Sequence, residues 1–63
     1  MAYQALGQAY LEQKRPHAAI SALQRALQLD PRLRTARYDL GRAYQAQGRA
    51  GDAQREFESA KAP

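Results

Sequence analysis

Arg34, Tyr38, Arg42 and Gln45 follow one another at intervals of four, four and three residues, so a helix carries all four on one face. An aromatic ring flanked by two guanidinium groups suits an acidic or carboxylate-ended peptide. Each guanidinium offers a planar fork of donors to a carboxylate, and tyrosine and arginine are enriched among the side chains that dominate binding energy. Earlier in the chain Gln4, Gln8 and Leu11 or Glu12 make a corresponding stripe with amides in place of cations. The candidate peptide-binding set is therefore Arg34, Tyr38, Arg42, Gln45, Gln4 and Gln8. The same residues also describe a solvated basic face, the plain alternative for an arginine-rich helix.

No other grouping points to chemistry. His17 is the sole histidine and has no cysteine or second histidine to join it in a metal site. Glu56 and Glu58 are two residues apart and do not face each other on a helix, while Asp52 and Glu56 at four apart repel mildly. Asp52 with Arg55 and Gln54 with Glu58 read as ordinary helix-surface pairs. Ser21 and Ser59 have no base within helical reach. The glycines fit neither a dinucleotide fingerprint nor a phosphate loop. No catalytic residue, cofactor site or metal site is expected, and the chain is not expected to be an enzyme.

The chain has 63 residues, a net charge of +4 and no cysteine. A chain this short leaves about 40% of its unfolded surface exposed after folding and is marginally stable alone. Alanine supplies much of its 44% hydrophobic content, and there is no tryptophan. The positive charge makes nucleic acid a second candidate partner. However, the ten basic residues spread along the whole chain, with only Arg32, Arg34, Arg37 and Arg42 clustered, and no recognition motif is present. Nucleic acid is therefore the less favoured partner. No apolar run reaches the 18 or so residues of a membrane span, and no signal-peptide layout is seen. Localisation is open, with the cytoplasm favoured on those grounds.

Helix formers dominate the composition, and the apolar residues have helical spacing. The spacing predicts a first helix over residues 2–14, with Tyr3, Leu6, Gly7, Tyr10 and Leu11 on one stripe. Gly7 costs roughly 1 kcal/mol there relative to alanine, a cost that a neighbouring helix pressed against the bare backbone would offset. Arg15-Pro16 ends this helix and Pro16 opens the next, which runs to residue 29 with Ala19, Ile20, Leu23, Ala26, Leu27 and Leu29 inward. Asp30-Pro31 is a turn, with Asp30 a candidate cap for the third helix, which starts at residue 33 or 34 and ends near 47. Residues 48–51 form another turn, and Asp52 places a carboxylate at the positive end of the fourth helix.

A shift of 34 residues lays Leu6-Gly7 on Leu40-Gly41 and Ala9-Tyr10 on Ala43-Tyr44. It also lays Ala2, Gln13, Arg15, Ala19 and Ala26 on Ala36, Gln47, Arg49, Ala53 and Ala60, and Leu23 on Phe57. This period and its Leu-Gly-x-x-Tyr…Ala…Leu/Phe…Ala…Pro pattern resemble the tetratricopeptide repeat. The leading aromatic of the pattern is Tyr3 in the first unit, whereas the second has Arg37 with Tyr38 beside it. The resemblance implies an all-α fold: one domain over 1–63, with repeats at about 1–33 and 34–63, and four antiparallel helices stacked as a short right-handed solenoid. It implies a protein-interaction or scaffold unit in which the first helix of each repeat lines a concave wall. Non-specific nucleic-acid binding, or a structural segment of a longer solenoid, are the alternatives. One subclass of the family clamps the terminal carboxylate of chaperone tails with lysines and asparagines across three repeats. This chain has Gln4, Gln8 and Asp39 at the corresponding positions, so that function is not carried over.

Ile20 and Leu27 become Gln54 and Lys61 one period later. In the family those positions help receive the next repeat, so the second unit reads as a polar end. With only two alanine-rich repeats the isolated chain is expected to self-associate, most simply as a closed dimer.

Overall fold

Proline and left-handed backbone cut the chain into helices. The computed structural model describes residues 2–61, in the order α1 (Tyr3–Glu12), α2 (Pro16–Leu29), α3 (Arg34–Ala46) and α4 (Ala50–Lys61). Pro16 occupies the first turn of α2, as its missing N–H allows. Both turns inside the hairpins have the same closure, one period apart. Lys14 takes φ 60° and Gly48 φ 77°. Behind them the Arg15 N–H donates to the Tyr10 carbonyl and the Arg49 N–H to the Tyr44 carbonyl, each at 2.9 Å. These bonds satisfy carbonyls that the helix ends leave free.

The helices form two hairpins laid side by side. α1 packs on α2, α3 on α4, and the hairpins join chiefly through α2 against α3, with α1 also touching α3. Ala19, Leu23 and Ala26 from α2 and Ala36, Leu40 and Ala43 from α3 make one buried cluster, against which Tyr3, Tyr10, Leu11, Ile20, Leu27, Leu33 and Tyr44 pack. Leu23 is the one large side chain fully buried among the described residues. Alanine brings the axes close but adds little apolar area, so the core is thin.

Close approach is most demanding at two glycines. A Cβ on Gly7 would lie 2.5 Å from Leu23 Cγ, and one on Gly41 would lie 2.5 Å from Phe57 Cε1. Leu23 and Phe57 are themselves one period apart, so the repeat preserves the contact as well as the residues. The helix pressed on bare backbone that the spacing predicts is present in both hairpins.

Several details differ from the sequence reading. Leu29, the last residue of α2, points out and is 65% exposed. Asp30 does not cap α3, whose N-cap is Leu33; its carboxylate instead accepts the Arg32 N–H at 3.2 Å within the turn. The last turn is shorter than expected, with Gly51 already inside α4. Asp52 pairs with Arg49 rather than Arg55, accepting from Nε at 2.8 Å and lying 2.7 Å from Nη2. Arg37, in the place of Tyr3, is tied by polar contacts, to Glu56 at 3.7 Å and to the Pro31 carbonyl at 3.2 Å.

Alanine at either glycine gains about 1 kcal/mol of helix propensity, whereas overpacking costs about 1–3 kcal/mol. Leu23 is enclosed and cannot move, but Phe57 is half-buried beside open space. Gly7→Ala is therefore expected to lower stability by about 1–2 kcal/mol, and Gly41→Ala by clearly less. Urea unfolding followed by circular dichroism checks this; equal losses, or a gain at Gly7, would contradict the packing described.

Candidate functional site

Tyr38 is on the outward face of α3 and is 54% exposed. Its ring meets Phe57 of α4, with centroids 5.2 Å apart and planes at 45°. A tilted pair at this separation is a favourable aromatic geometry. It also fixes the Tyr38 ring at little further cost in side-chain entropy when something binds to it.

The pair forms one wall of an open hollow of about 460 Å³, which Gln8 borders from α1, Arg34, Thr35 and Asp39 from α3, and Ala60 and Lys61 from α4. Arg34 and Lys61 stand at its edge, and among the described residues neither forms an ion pair. Asp39 is 4% exposed. Its Oδ2 accepts from Gln8 Nε2 at 3.0 Å, and its Oδ1 lies 3.6 Å from Arg42 Nη1. The Gln8 bond spans the two hairpins and holds α1 to α3 at the floor of the hollow. Arg42 offsets the Asp39 charge, which leaves Arg34 and Lys61 to set the sign of the surface.

The period, the glycine contacts and the stacked hairpins agree with a match of the chain to a family model, the tetratricopeptide repeat, over residues 10–63. The chain belongs to the tetratricopeptide repeat family. No curated protein matches it. Repeats of this family serve in general as interaction or scaffold units.

Of the six residues singled out in the sequence, this tetratricopeptide pair brings Gln8, Arg34 and Tyr38 to the hollow; Gln4, Arg42 and Gln45 do not line it. Arg42 shares the Tyr38 face of α3, but its guanidinium leans toward Asp39. The sequence reading had Lys61 on the polar end of the second unit, but it did not join Lys61 and Phe57 to Tyr38 as the lining of one hollow. Their spacing of four on α4 was the available signal. Asp39 was also missed: one period earlier its place is taken by Ala5, so the repeat gave no hint of a buried carboxylate. Tyr10 and Tyr44 are packed against the core, each under an arginine one turn away, Arg15 at 5.6 Å and Arg49 at 4.6 Å. Among the described residues no group of three or more His, Cys, Asp or Glu side chains is placed to hold a metal. Among the described residues no helix is long and apolar enough to cross a membrane.

The Gln8–Asp39 bond is charge-assisted and part-buried, so its loss is worth about 1–2 kcal/mol. Asp39→Ala is expected to lower the urea midpoint accordingly, and Asp39→Asn to retain most of the stability because its amide oxygen still accepts from Gln8. A neutral Asp39→Ala would show that the bond does not hold the hairpins together.

Proposed function

We propose that this chain is a non-catalytic binding unit that takes a short acidic peptide across α3, with an apolar side chain of the peptide seated in the hollow between Tyr38 and Lys61. The observation carrying this reading is the exposed Tyr38 ring, braced by Phe57 and bordered by two cations, Arg34 and Lys61. The hollow has aromatic walls at Tyr38 and Phe57, a floor where the Asp39 carboxylate is already paired with Gln8 and Arg42, and cations at its rim, so it suits an anchor at the centre with polar contacts around it. Carboxylates flanking the anchor would meet Arg34 on one side and Lys61 on the other. Gln8 and the amide-rich face of α1, with Gln4, extend the same wall toward the first repeat, and Arg42 and Gln45 extend it along α3.

Nucleic acid is the competing ligand for a basic surface, and salt separates the two. Six to ten phosphate contacts lose about 10³–10⁵ in affinity between 50 and 200 mM salt. A peptide held by an apolar anchor and two charge pairs loses far less, because its central contacts are not ionic.

The test is a fluorescence titration with a short peptide of Asp and Glu around one Phe or Leu, beside a single-stranded oligonucleotide of similar length. The peptide is expected to bind with modest salt dependence, and Tyr38→Ala, with helicity retained, to weaken it by about tenfold or more. Reversing Lys61 to Glu should weaken it too. An affinity unchanged by Tyr38→Ala, or stronger and steeply salt-dependent binding of the oligonucleotide, would defeat this reading.

A further inference from the structure

Asp39 puts a carboxylate, 4% exposed, at the floor of an aromatic hollow, where α1 has Ala5 one period earlier. A carboxylate drawn out of water is stabilised by the hydrogen bonds that replace its solvent, and its two oxygens offer about four lone-pair sites. The fold fills one of them: Gln8 Nε2 donates to Oδ2 at 3.0 Å. Near Oδ1 stands Arg42 Nη1, at 3.6 Å, beyond hydrogen-bond range, and the Arg42 side chain is itself about half exposed. Among the described residues the one side-chain oxygen both sealed from solvent and unpartnered is Oε1 of Glu56. Asp39 Oδ1 is thus unpartnered yet open, in a residue that borders the hollow beside Tyr38 and Phe57. Holding the hairpins together uses Oδ2 and leaves Oδ1 free.

We infer that Asp39 is the specificity-determining residue of the hollow and that it selects a tyrosine, an aromatic ring whose hydroxyl donates to Oδ1. Tyrosine selection rests on the proposed peptide site and refines its anchor, from any apolar side chain to one with a neutral donor at its tip. The ring packs against Tyr38 and Phe57, and its O–H gives the carboxylate the partner that the fold withholds. A hydroxyl donating to a carboxylate makes one of the stronger hydrogen bonds in proteins. Phenylalanine or leucine in the same place would strip water from Oδ1 and return nothing. A lysine or arginine would meet the charge of Asp39, but Arg42 already offsets that charge, and Arg34 and Lys61 at the mouth repel a cation. A neutral donor gains the hydrogen bond without that repulsion. Carboxylates on either side of the tyrosine keep their places against Arg34 and Lys61.

The test compares two end-labelled acidic peptides that differ by a single hydroxyl, Asp and Glu around a central Tyr or a central Phe, by fluorescence anisotropy. The natural chain is expected to bind the Tyr peptide about tenfold more tightly. Asp39→Asn still accepts from Gln8 but has lost the charge, and in it the preference is expected to fall below about threefold, mainly through weaker binding of the Tyr peptide. An Asp39 that only joins the hairpins would weaken both peptides alike and leave their ratio unchanged. Circular dichroism shows whether Asp39→Asn is folded, and the comparison on the natural chain does not depend on it. Equal affinity for the two peptides, or a preference for Phe, with both weakened by Tyr38→Ala, overturns the inference and leaves the peptide site standing. A preference for Tyr that a folded Asp39→Asn does not reduce overturns it as well. Binding of neither peptide overturns both the site and its selectivity.

Discussion

Leu23 can reach the backbone of α1 only because Gly7 carries no side chain, and Phe57 reaches α3 at Gly41 in the same way. Those two contacts fix how near the helices of each hairpin approach, and the small residues follow from that distance. With the axes drawn together, Ala19, Ala26, Ala36 and Ala43 fill the remaining space where larger side chains would not fit. Close-packed alanine makes many short van der Waals contacts but removes little apolar area from water. The fold is thus specified tightly and stabilised thinly.

The same constraint shapes the surface. Phe57 must lie flat enough to cover Gly41, and in that position its ring presents a face to Tyr38, which would otherwise be an unsupported aromatic on an exposed helix. The hollow that we read as a peptide site is a by-product of the packing contact, completed by Arg34 and Lys61. At the opposite end the helix pair built around Gly7 and Leu23 has no neighbour on its outer side, so residues buried in the second unit stand open in the first. One sequence pattern therefore yields a core position or an open one according to what lies beside it.

The repeat made most of this fold legible. Periodicity gave four helices, with every start and the ends of the first three to within two residues, Pro16 gave the start of α2, and the mid-helix glycines announced close packing. What escaped the sequence depended on neighbours that a single chain does not name. Leu29 has helical spacing with the core residues but is the last residue of α2 and stands open. Arg49 and Arg55 stand equally near Asp52 along the helix, and only the turn geometry favours Arg49. Asp39 is on the Tyr38 helix with no counterpart in the first unit, and its burial depends on Gln8 of another helix thirty-one residues away. Phe57 and Lys61 were legible as repeat positions and illegible as a binding wall, since that role arises from what does not cover them.

The central claim is that α2 and α3, joined through the alanine-rich cluster, carry the fold, while α1 and α4 each keep one uncovered side. Amide hydrogen exchange followed by NMR measures this helix by helix. The slowest exchange should fall within α2 and α3, around Leu23, Ala26, Leu40 and Ala43, with α1 and α4 opening at lower free energy. Uniform protection across all four helices, or a maximum in α4, would contradict the account.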